Sequence, residues 1–152
     1  MAECGVCIFG GCCGTEVEHI AALTKATAEL NPQVSVPAHP DKLPCATEKL
    51  PFLLDVTAAY GNVLPCDEDL EDALFDEMEE DAEMIAIKVE SEEELDIFSD
   101  CQGMIGKPLC ILCEDAELLE QVLRRYQGRA VYEGSLSDEK LMPLVKKYGL
   151  IL

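Results

Sequence analysis

Positive charge is what this chain most lacks. Only 11 Lys and Arg stand against 31 Asp and Glu, for a formal net charge of −20. That balance excludes a nucleic-acid surface, which needs Lys and Arg to neutralise phosphates. It equally excludes attraction to an anionic membrane face. Long apolar runs are missing as well, since none approaches the roughly 18 residues of a spanning helix. The first residues carry Glu3 and no basic region, so the pattern of a secretory signal is absent. Histidine is scarce, with His19 and His39 the only two. Neither a phosphate-binding glycine loop nor a serine nucleophile elbow occurs, so neither of those chemistries is indicated.

Cysteine, by contrast, is plentiful. Nine cysteines without a signal segment imply free thiols in a reducing cytoplasm rather than a disulfide framework. The composition, 49% hydrophobic and 28% charged, is that of a folded globular protein. A length of 152 residues allows one ordinary core or two small units.

Along the chain, residues 5–9 form an apolar run that reads as a strand. It breaks at Gly10-Gly11-Cys12-Cys13-Gly14-Thr15, and a helical pattern follows with Ile20, Leu23 and Leu30 on one side. Residues 31–51 hold five prolines and are expected to form a linker. Beyond it, strands are expected at 52–56, 84–89, 108–113 and 129–132, with a terminal strand at 149–152. Helices are expected at 67–81, 92–101, 116–126 and 138–148, the first with Leu70, Leu74, Phe75 and Met78 as its apolar stripe. Alternating strands and helices predict an α/β fold: an incomplete (β/α) barrel-like parallel sheet with a terminal βα element.

Cys12 and Cys13 sit where the first strand would end, and in parallel α/β folds that end carries the chemistry. Adjacent strand residues point to opposite faces. Two such thiols can share a metal only where the chain turns, which the flanking glycines allow. GGCCGT followed by Glu18-His19-Ile20 resembles the last strand and helix of the homocysteine S-methyltransferase barrel, as found in cobalamin-dependent methionine synthases. The resemblance covers residues 1–30 and implies that Cys12 and Cys13 are zinc ligands, with homocysteine as the ancestral substrate. It also implies that the chain is the carboxyl-terminal part of a larger enzyme. The earlier strands, the substrate pocket and a third zinc ligand would then lie elsewhere, and a protein partner or a second copy could complete the barrel.

Residues 52–152 are similar, more faintly, to the first half of the pterin-binding barrel of the same enzymes, through Leu119–Ala130 and Leu144–Gly149. The family's pterin-contacting positions are replaced, by the segment Asp55 to Gly61, by Cys113-Glu114 and by Glu133. A carboxylate in place of an amide loses donors and adds charge, so this unit is expected to be a scaffold without its folate ligand.

Other readings stay open on the residues alone. Cys4 and Cys7 form a CxxC that could join Cys12 and Cys13 in a closed four-thiolate zinc site, giving a small Cys-rich metal protein. A non-catalytic α/β partner or regulatory module is the other alternative. Cys110 and Cys113 form a second CxxC, but Cys110 lies within a strand, where core packing is expected rather than redox work. Cys45, Cys66 and Cys101 show no informative spacing. His19 is expected to cap a helix or lie on the surface, and His39 falls in the linker. The acidic run 67–81 lacks the loop glycine and alternating ligands of a calcium site, so it is expected to be a solvated helix face.

Overall fold

The computed structural model describes residues 8–30 and 41–152. The chain divides into two compact units, Met1–Ala38 and His39–Leu152. Residues 5–7 of the expected strand and much of the expected linker lie outside the described residues, and Ile8 and Phe9, which are described, are not in a strand.

In the first unit the described part is a turn followed by helix α1, Val17–Thr27. Its amino end is closed by His19, whose Nδ1 accepts from the Glu16 N–H at 3.0 Å. No residue of α1 is buried. Of the expected apolar stripe, Ile20 is 43% exposed and Leu30 45% exposed, while Leu23 is half-buried.

The second unit is built on a four-stranded parallel sheet in the order β3–β4–β5–β6. These strands are Tyr60–Pro65, Met84–Lys88, Leu109–Leu112 and Val131–Glu133. Helices α2 (Leu70–Glu79), α3 (Glu94–Cys101) and α4 (Ala116–Arg125) make the crossovers. Helix α5 (Asp138–Tyr148) then leads to Ile151, which forms a parallel bridge to Val131. Because the strand order never reverses, crossovers of one hand stack every helix on one face of the sheet. That arrangement is the sense of a barrel segment, and it differs from a doubly wound sheet, whose order turns back. The fold is therefore α/β and barrel-like, as the alternation of strands and helices predicts.

Alternation along each strand separates two cores. Ile85, Ile87, Leu109 and Ile111 face the helices and pack with Leu74, Phe98, Leu119, Val122 and Leu144. Met84, Ala86 and Cys110 face the other way and pack with Cys45 and Leu54. Those last two belong to an antiparallel hairpin, β1 (Lys42–Ala46) and β2 (Pro51–Asp55). With both faces covered, the central strand reads as a continuous apolar run.

The hairpin corrects two expectations. Residues 42–46 are not linker but strand, in spite of Pro44. The Ala46 N–H donates to the Arg129 carbonyl at 3.2 Å, on the side away from β2. Strand N–H groups alternate, so Pro44, two residues earlier, has its nitrogen on that same outer side and removes no ladder bond to β2. Residues 52–56 do not supply the first parallel strand; they belong largely to β2, where only Leu54 is buried. The first parallel strand is β3, a segment the sequence pattern does not reveal. Phe75 also departs from the expected stripe of α2, being 63% exposed.

Helix α2 instead buries Glu77, which is 3% exposed. Its carboxylate accepts from the Asn62 backbone N–H at 3.2 Å and from the Asn62 side-chain amide at 3.1 Å. A buried carboxylate is tolerated when such donors satisfy it. This contact also occupies a backbone donor on the outer edge of β3, blunting an edge that would otherwise invite another strand.

Candidate functional site

Cys12 and Cys13 lie in a tight turn that ends just before α1. The Thr15 N–H donates to the Cys12 carbonyl at 2.9 Å, and the Cys12 N–H donates to Thr15 Oγ1 at 2.9 Å. Gly14 has φ +85°. A four-residue turn with positive φ at its third position is type II, which glycine fills without strain. Gly11 is the second glycine with a steric role: the Thr15 side chain stands where a Cβ would go. The glycines that flank the cysteine pair therefore shape the turn itself.

Both thiols are exposed and free. Cys12 Sγ lies 3.9 Å from the Cys13 carbonyl oxygen, a weak contact that leaves the sulfur open to stronger partners. Thiolates suit zinc, and two of them are two members of a ligand set. Among the described residues no group of three or more His, Cys, Asp or Glu is gathered to hold a metal. His19 does not bring its Nδ1 to such a set, because that atom is engaged in closing the helix. Cys4, Cys7 and His39 lie outside the described residues. Among the described residues the pair therefore has no third ligand gathered beside it.

The second CxxC has the opposite character. Cys110 is completely buried, and burial, with the Glu133 carboxylate next, pushes its thiol up to about 12. Cys113 is buried too, with its thiol donating to the Asp115 carbonyl at 3.3 Å, and burial raises it as well. Reactive cysteines need an electropositive, accessible setting, so these two are core residues. Cys45, Cys66 and Cys101 are likewise buried. Burial, joined by the Glu94 carboxylate, carries Cys66 to about 11.

At the carboxyl ends of β4, β5 and β6 stand Lys88, Glu114 and Glu133. Lys88 pairs with Glu90 at 2.7 Å, and Glu114 accepts from the Ser135 backbone and hydroxyl. The rim is acidic and largely satisfied by its own neighbours. Compared with known proteins, the chain matches no family model. Nor does any curated protein match it.

Proposed function

We propose that the chain carries part of the metal centre of a homocysteine S-methyltransferase, with Cys12 and Cys13 as two zinc ligands. The observation behind this reading is the turn itself. A vicinal pair of exposed thiols is held between glycines, one of them at φ +85°, directly ahead of a helix. The exposure of Ile20 on α1 among the described residues also favours it, because an apolar helix side chain left exposed suits a partner surface.

In this reading the turn fixes the spacing of the two sulfurs, and the described residues leave the remaining coordination positions to other groups. Bound zinc lowers the pKa of a coordinated thiol, so homocysteine sulfur would be nucleophilic near neutral pH. No side chain of this chain is assigned as general acid or base. Residues 52–152 act as scaffold, and a partner chain or second copy supplies the third ligand and completes the barrel. A reducing cytoplasm is the setting that keeps such thiols free.

The test is whether the thiol of the substrate completes the set. Zinc retention by the reduced chain is measured by competition with a chromogenic chelator, with homocysteine or homoserine present. Homocysteine is expected to tighten zinc retention roughly tenfold or more, since a thiolate adds a strong soft ligand, and homoserine to leave it unchanged. Equal effects of the two compounds would remove the methyltransferase reading.

A further inference from the structure

We propose that the cavity on the hairpin-covered face of the parallel sheet binds a small organic ammonium ion with an apolar body. This inference goes beyond the zinc reading and does not involve Cys12 or Cys13. The cavity has a volume of about 380 Å³, within the range of small-molecule sites. Leu43 and Leu54 of the hairpin wall it on one side, with Met84 and Val131 of the sheet opposite. Such walls suit an alkyl or aryl body.

The polar groups decide the charge of the ligand. Glu133 lines the cavity and is exposed, and Tyr60 lines it too. Asp55, the other carboxylate of the lining, is held by Lys42 at 2.6 Å. Among the described residues no Lys or Arg lines the cavity itself. Cys110 lies on the sheet side, buried and protonated at neutral pH, so that wall carries no charge. With Lys42 engaged by Asp55, an anion entering would still meet the Glu133 carboxylate, in a chain of net charge −20. An ammonium group would meet a carboxylate and, beside it, an aromatic ring able to hold a cation over its face. The summed negative field would also steer cations inward.

Phenethylammonium is a suitable probe, with 2-phenylethanol and 3-phenylpropionate as neutral and anionic counterparts. Each is titrated into the isotopically labelled chain, and backbone amide shifts are followed. Phenethylammonium should give saturable shifts confined to residues around Leu54, Cys110, Val131 and Glu133, and the anion should give none. Glu133→Gln, isosteric and exposed, should weaken binding roughly fivefold or more, the range for losing one partly screened charged partner. The proposal fails if the anion binds as well as the ammonium, or if Glu133→Gln binds as the parent does. It fails equally if the shifts do not saturate or spread over the acidic helix α2, which would mark surface ion pairing alone.

Discussion

Replacing Phe98 by alanine should destabilise the second unit by about 3–5 kcal/mol. The ring is completely buried on α3 and packs in the helix-side core. Removing it deletes apolar contact and leaves a cavity, because the rigid neighbours relax only in part. A second loss follows through Tyr126, whose ring centroid lies 6.2 Å from that of Phe98. The Tyr126 hydroxyl donates to the Ala46 carbonyl at 3.1 Å, which ties the hairpin to the end of α4. Phe98 thus supports a side chain that joins both layers. Urea unfolding followed by circular dichroism measures the change. A shift below about 1 kcal/mol, the size of an ordinary substitution, would mean that this core is packed differently.

The second large effect concerns thiol chemistry. At pH 8, Cys110 in the folded chain should react with iodoacetamide roughly a thousandfold more slowly than in urea, because only the thiolate reacts. That ratio follows from a thiol moved by burial from 9.0 to about 12, and steric exclusion of the reagent slows it further. The pH dependence has a definite sign. The fold favours the neutral thiol, so this contribution to stability is complete below pH 9.0 and is lost as pH rises towards 12. Cys66, raised to about 11, adds to the same alkaline loss. Mass spectrometry of the alkylated peptides gives the rates residue by residue. Similar rates for Cys110 in the folded and urea-treated chain would contradict its burial.

The parts of the fold legible in sequence are those where one physical signal dominates. Helix α5 is bounded as expected at Asp138 and Tyr148, since Ser137 and Gly149 bracket a clear apolar stripe. Strand β4 is apolar without a break from Met84 to Ile87 because helices cover one face and the hairpin the other. Strand β3 gives no such signal. It is an edge strand with Gly61, Asn62 and Pro65 in it, and only Leu64 is buried, so neither alternation nor an apolar run marks it. Strand β1 is hidden by Pro44, whose compatibility with pairing depends on which way its nitrogen faces, and that is a property of the assembled hairpin.

The candidate site divides in the same way. The cysteine pair and its glycines are contiguous, so the turn is written in local sequence. Tyr60, Cys110 and Glu133 are far apart in the chain and meet on one cavity only through the order of the parallel strands. No spacing rule connects them. The buried Glu77 is similar: in sequence it is one acid among many in the run 67–81, and only its contact with Asn62 distinguishes it.

If Cys12 and Cys13 are metal ligands, as proposed, zinc binding by this chain depends on them. The most direct measurement is the zinc affinity and stoichiometry of the purified, reduced chain beside a Cys12→Ala, Cys13→Ala double variant. The parent chain should bind zinc weakly, because two thiolates alone hold it poorly, and the variant should lose that binding. Equal zinc binding by the two proteins, at any affinity, would contradict it.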